Sequence, residues 1–304
     1  MRPDEIEHHL RIALDQPGKA LYAAVEMLAR LRPMNPSGAA LVLEREPDLG
    51  GLLARGPEAA GDLAALLTGL AQARRCLGCG TCCLTSSPTL YAEDLNRIGP
   101  EALPRQALYA LRPGERVSSA REGATRILDR ELIKLRECQT NLDKAGPDMA
   151  SPSAPGWGCV FLETSRCRIY EARPLQCRVL ECWSGAHAGG LSDQPRLSRA
   201  LLLAEDATAL ALMAEYDHKL PATELTQVLE AAAGGDTEAQ KSALAMLEMD
   251  HNLRRGVSQR HGYSAEDLDL MWGRPAVLIA RAHGLEPRLN DKGSVILGKL
   301  QTNA

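Results

Sequence analysis

The chain has 304 residues, 45% hydrophobic and 24% charged, with a formal net charge of −4. That is the balance of a globular protein with one large core or two modest ones. There is no basic excess to mark it for nucleic acid, and no apolar run approaches the roughly 18 residues of a membrane span. Aromatics are scarce and Phe161 is the single phenylalanine, so cores must be built from Leu, Ala, Val, Ile and Met. Ala and Leu are strong helix formers, which predicts a mainly α fold.

The N-terminus, Met-Arg-Pro-Asp-Glu-Ile-Glu-His-His-Leu, lacks the apolar stretch of a secretory signal, so a cytoplasmic location is expected. A reducing compartment disfavours structural disulfides and favours metal binding by cysteine. Residues 4 to about 75 read as helices, with Asp4 as a first cap and Pro17-Gly18 and Pro33…Pro36 as breaks. The stretch Glu58–Arg75 sets Leu63, Leu66, Leu67 and Leu70 at helical spacing and leads into Cys76.

The run Cys76-Leu-Gly-Cys79-Gly-Thr-Cys82-Cys83 packs four thiols into eight residues. Cys159, Cys167, Cys177 and Cys182 follow, so eight of the nine cysteines fall in two groups. Short spacings on glycine-rich turns let thiolates converge on one thiophilic centre, and Gly78 and Gly80 are expected to supply the backbone freedom. Cys76, Cys79 and Cys82 have the spacing by which one loop provides three corners of a cubane cluster. A zinc ribbon uses two knuckles of two ligands each. Three cysteines in one loop with a vicinal fourth therefore point to iron–sulfur of the 4Fe–4S kind, with zinc as the alternative. Adjacent side chains tend to point apart, so Cys83 is expected to serve a second centre. One centre with spare thiols and two centres using all eight both fit.

Further along, Ala120–Cys138 is predicted to be helical, with Leu128, Leu132, Leu135 and Cys138 on one stripe, Cys138 being a core residue. Residues 145–158 are too rich in Pro, Gly and Ser to be regular. Within the second cysteine group, Arg173 and Arg178 are candidates to stabilise a negative cluster, and Tyr170 to donate a hydrogen bond; pairing of Arg173 with Glu163 or Glu171 is the structural alternative. Helices are predicted over about 195–219, 222–233, 236–255 and 265–284, and a small hairpin from Leu289 to Leu297. Two Glu-x-x-His pairs, Glu215/His218 and Glu248/His251, lie on these helices; such pairs build di-iron sites in bundles, and they are also common on solvated faces.

The combination of CxxCxxCC, Gly-Cys-Val-Phe-Leu, Cys-x-Ile-Tyr-x-x-Arg-Pro-x-x-Cys-Arg and a last Cys-Trp resembles the CxxCxxCC family of zinc- or iron-chelating cysteine-cluster proteins. The resemblance covers about residues 74–183, and Leu90–Ile98 is similar to the segment after the first cluster in that family. It implies a metal-binding module of undefined activity. A flagellin lysine methylase carries a related motif with a different first spacing.

The expected organisation is an N-terminal helical region over 1–73, a loop-rich cysteine-cluster module over 74–183 and a C-terminal helical region over 184–304. The expected function is a protein holding one or two iron–sulfur clusters for electron transfer, redox sensing or metal delivery to an unidentified protein or redox partner. One alternative is a methylase-like metalloenzyme acting on a substrate held by the C-terminal helices. Another is a structural zinc adaptor. No catalytic residue is identifiable: the sequence has no P-loop, dinucleotide fingerprint, nucleophile elbow or kinase signature.

Overall fold

The computed structural model describes residues 1–16, 18–85, 87–118, 125–139, 157–183, 191–289 and 295–299. The fold is mainly helical, with small antiparallel strand pairs and no barrel among the described residues. No helix there is long and apolar enough to cross a membrane. Contacts divide the chain into two interleaved units, 1–87 with 137–193 and 88–136 with 194–304. The sequence reading has three consecutive regions; here the N-terminal helices and all nine cysteines share the first unit.

The first unit opens with α1 (Pro3–Leu14), α2 (Ala20–Leu31), α3 (Pro36–Leu43), α4 (Leu49–Ala54) and α5 (Ala60–Gln72). α1 is capped at Arg2 rather than at the expected Asp4, because Pro3 suits the first helical position and the Glu5 carboxylate accepts the Arg2 amide at 3.0 Å. α3 begins with Pro36, and the Asn35 side chain caps it by accepting from the Gly38 amide at 2.6 Å. Ile6, Leu10, Leu28, Leu43, Leu63 and Leu67 form the core between these helices. α5 buries Leu63, Leu67 and Leu70, as its spacing predicts, and releases the chain toward Cys76. The cysteine segments add α6 (Thr81–Thr85), α7 (Leu175–Val179), and the strand pairs Glu137–Gln139 with Trp157–Cys159 and Leu162–Glu163 with Arg166–Cys167.

The stretch expected to be one helix over 120–138, most of it in the second unit, is instead stranded among its described residues. Leu132–Leu135 pairs with Leu108–Leu111, and Thr125–Ile127 pairs with Arg116–Ser118. Leu132, Ile133 and Leu135 are all buried, so this strand has apolar residues on both faces. A strand covered on both sides loses its alternation and mimics a helical stripe. Residues 119–124 lie outside the described residues.

The helices that follow are α8 (Arg199–Leu202), α9 (Ala207–Lys219), α10 (Ala222–Ala233), α11 (Thr237–His261), α12 (Ala265–Trp272) and α13 (Ala276–Ala282). Asp206 caps α9 and thereby splits the first predicted helix, while Gly273 (φ +80°) and Pro275 split the last. The terminal hairpin pairs Leu285–Leu289 with Val295–Lys299, longer than expected; its turn lies outside the described residues. Tyr216 stacks flat on Trp272 at 4.4 Å within a core that includes Leu225, Leu229 and Ile279.

The arginines of this second core are held by carboxylates. Asp217 accepts from Arg199 at 2.8 Å and from Arg112 at 3.3 Å, and Glu131 accepts from Arg199 at 2.7 Å. Asp250 accepts from Arg254 at 2.7 Å, the Tyr216 hydroxyl at 2.5 Å and the Ala276 amide at 2.8 Å.

Candidate metal centre

Cys76 and Cys79 stand on a loop that the N-terminal helices grip, and Cys82 and Cys83 on the short α6 that follows it. Gly78 and Gly80 sit at φ +66° and +73°, the left-handed conformations the loop reading requires. Arg45, just past α3, donates to the carbonyls of Leu77 at 3.1 Å and Gly78 at 3.0 Å, and to Ser165 Oγ at 3.2 Å. In a trans peptide the carbonyl and the following N–H point in opposite directions. Holding the Leu77 carbonyl therefore aims the Gly78 N–H the other way, onto Cys76 Sγ at 3.4 Å.

α3 also seats directly on the loop. A methyl group added at Gly38 would stand 2.3 Å from the Cys79 carbonyl oxygen, so only glycine permits this approach. The Asn35 amide donates to Thr81 Oγ1 at 3.1 Å, fixing the start of α6, and the Cys79 thiol lies 3.4 Å from the same hydroxyl.

The thiols sort into two neighbourhoods. Cys76 interacts electrostatically with Cys82, Cys182 and Cys79. Cys177 interacts with Cys82, Cys159 and Cys167, and Cys83 with Cys82, Cys159 and Cys177. The vicinal Cys82 and Cys83, with sulfurs 3.9 Å apart, are the junction between the two sets. Burial pushes the thiols of Cys76, Cys167 and Cys177 up, and that of Cys159 up to about 11. For Cys83 the hydrogen bond with Cys82 acts first and burial second, in the same direction. These five thiols are therefore neutral without metal, and a bound metal displaces their protons.

Among the described residues no three Cys, His, Asp or Glu side chains stand close enough, as placed, to hold a metal ion. The donors nevertheless fit a thiophilic metal: the eight sulfurs lie in one unit, in two sets of neighbours, with an amide aimed at one of them.

Around the later cysteines Arg173 lies over the Tyr170 ring at 3.8 Å and donates to its carbonyl, rather than pairing with Glu163 or Glu171. Its charge favours the thiolates of Cys167 and Cys177. The Tyr170 side chain is exposed, and Arg178 is half-buried on α7. Cys138, read as a helical core residue, stands instead half-buried on the strand paired to Cys159 and close enough to raise that thiol.

Glu215, His218, Glu248 and His251 are all exposed, and Glu215 pairs with Lys219 at 2.6 Å. No metal-holding group among the described residues includes them.

Sequence reasoning missed Arg32, Asn35, Gly38 and Arg45, which lie in the N-terminal helical region far from any cysteine in the chain. The close approach at Gly38 leaves no signal in spacing or composition. Beside Cys167 an open hollow of about 430 Å³ is rimmed by Glu44, Arg45, Glu163, Ser165, Arg166 and Arg168.

Residues 75–195 match the family model CxxCxxCC, described as "Putative zinc- or iron-chelating domain". The match supports metal binding by the cysteines and leaves the N-terminal helices outside it. No curated protein and no solved structure matches the chain.

Proposed function

We propose, from the match of residues 75–195 to a zinc- or iron-chelating domain, that the chain is an iron–sulfur protein that carries electrons. One cluster would be held by Cys76, Cys79, Cys82 and Cys182, the other by Cys83, Cys159, Cys167 and Cys177. The sorting of the thiols into two neighbouring sets joined at Cys82 and Cys83 carries this reading. The three-cysteine loop favours a polynuclear cluster over the paired knuckles of zinc. A bound cluster supplies one-electron oxidation and reduction.

The protein's own groups set the conditions for that chemistry. The Gly78 N–H donates toward Cys76 Sγ, and Arg173 lies close enough to favour the charged forms of Cys167 and Cys177. Donors and cations around thiolate sulfur stabilise the more reduced, more negative state and raise its potential. The hollow beside Cys167 carries both signs of charge, Arg166 and Arg168 with Glu44 and Glu163, so a partner docking there would need a mixed charge pattern. The reading assumes a reducing compartment, where free thiols persist.

Metal analysis of anaerobically purified full-length protein tests this. The expected sample is brown, contains iron and acid-labile sulfide, and bleaches on reduction. A colourless sample with zinc on the same thiols overturns the cluster reading and leaves a structural zinc module.

A further inference from the structure

Arg32 ends α2 and is only 2% exposed. Its Nη1 donates to the carbonyls of Leu70 at 3.1 Å and Ala73 at 2.8 Å; its Nη2 donates to the Arg75 carbonyl at 2.7 Å and to Cys182 Sγ at 3.7 Å. The guanidinium also lies 5.9 Å from the Trp183 ring. One side chain thus ties the stretch leading into Cys76 to the last cysteine of the module.

Its partners are unusual in charge. Three are neutral carbonyls and one is a thiol, and no carboxylate pairs with Arg32 among the described residues. A buried cation without an anion is strongly disfavoured. The anion within its reach is the one that forms at Cys182 when a metal displaces the thiol proton.

We propose that Arg32, from helices outside the family match, is the counter-cation of the metal centre. It is a positioning residue that neutralises the Cys182 thiolate and holds it against the Cys76 loop. The N-terminal helices are then part of the site rather than a flanking region. The proposal rests on Cys182 being a metal ligand; it does not depend on whether the native metal is iron or zinc.

The test is an anaerobic titration of metal-free full-length protein with Co(II), whose thiolate charge-transfer absorption reports bound sulfur, together with melting curves with and without Co(II). Arg32→Met should weaken Co(II) binding about 10- to 100-fold, the range for groups that orient metal ligands. It should also shrink the rise in melting temperature that Co(II) produces. Arg32→Lys, which keeps the charge but not the four-acceptor geometry, should recover most of the affinity. A role confined to knotting the backbone predicts something different: both melting temperatures fall together, Co(II) affinity stays within about threefold of wild type, and Lys does no better than Met. That result overturns the proposal. If Arg32→Met does not fold, Arg32→Gln, which keeps donors for the carbonyls without the charge, carries the same comparison. Cys182→Ser separates the premise: unchanged Co(II) binding in that variant removes Cys182 from the ligands and the proposal with it, leaving the other seven thiols as candidates.

Discussion

Both units of this protein bury arginines, and they balance them differently. In the second unit Arg112, Arg199 and Arg254 meet Glu115, Glu131, Asp217, Asp250 and Asp269, so each buried cation has a carboxylate in contact. In the first unit the buried Arg32 and the half-buried Arg45 meet carbonyls, a hydroxyl and a sulfur. In the second unit these buried cations have their anions as folded, though Arg112 leaves Nε and Nη2 without hydrogen-bond partners. In the first, Arg45 holds neutral carbonyls and a hydroxyl, while Arg32 reaches the Cys182 sulfur, which on the proposal above becomes anionic when a metal is bound. The difference is the one expected if the balancing charge in the first unit is the proposed Cys182 thiolate.

The sharpest way to break that contrast is to remove the metal. Metal bound to thiolates is folding free energy, on the order of 10 kcal/mol for a structural site. Chelation should therefore strip hydrogen-exchange protection from α6, α7 and the strand pair Glu137–Gln139 with Trp157–Cys159, while α9–α11 keep theirs. Equal loss in both units would erase the distinction. The converse experiment is Asp250→Ala. It leaves the buried Arg254 guanidinium, the Tyr216 hydroxyl and the Ala276 amide without their shared acceptor. Removing one member of a buried pair costs about 3–5 kcal/mol, read as a lower denaturation midpoint with metal content unchanged.

The contrast also explains what was legible in the sequence. The cysteine spacing and the glycines of the Cys76–Cys83 loop are local facts, and the positive φ of Gly78 and Gly80 follows from them. The apolar periodicity of α5 is local as well. Arg32 reaches carbonyls about 40 positions away and a sulfur 150 positions away, and separation of that kind leaves no pattern in one sequence. The strand Leu132–Leu135 looks helical in sequence for another reason: burial on both faces removes the alternation that separates strand from helix. The Glu-x-x-His pairs were visible as motifs, but a helix face looks the same in sequence whether it meets a metal or water.

Gly38 offers a finer probe of how closely the N-terminal helices serve the site. An added methyl would stand 2.3 Å from the Cys79 carbonyl oxygen and 2.6 Å from Asn35 Oδ1, and a backbone oxygen cannot swing aside as a side chain can. Gly38→Ala should cost about 1–3 kcal/mol by overpacking and weaken metal binding, because the displaced group belongs to the ligand loop. Gly69→Ala on α5 is the control: nothing lies within 4 Å of its added methyl. Replacing a helix-interior glycine there should stabilise by about 0.5–1 kcal/mol and leave metal affinity alone.

The smallest expected effect tests whether the second unit, whose buried cations already have their carboxylates, resists a further positive charge. His283 ends α13 with neither ring nitrogen hydrogen-bonded. Burial holds its pKa below the ordinary 6.5, the Arg116 and Arg274 guanidiniums push the same way, and Glu230 opposes them. The folded protein therefore prefers the neutral ring. As pH falls through about 6.5, the unfolded chain takes up a proton that the folded chain refuses, so stability drops and then levels once the folded ring also protonates. Because solvent reaches part of the ring, the drop should be modest. It should appear as a lower melting temperature of the second unit between pH 7 and 5. His283→Asn, which cannot titrate, should flatten that slope. An unchanged slope would mean that the guanidiniums beside the ring do not resist its charge, and that the second unit has room for a cation its carboxylates have not already claimed.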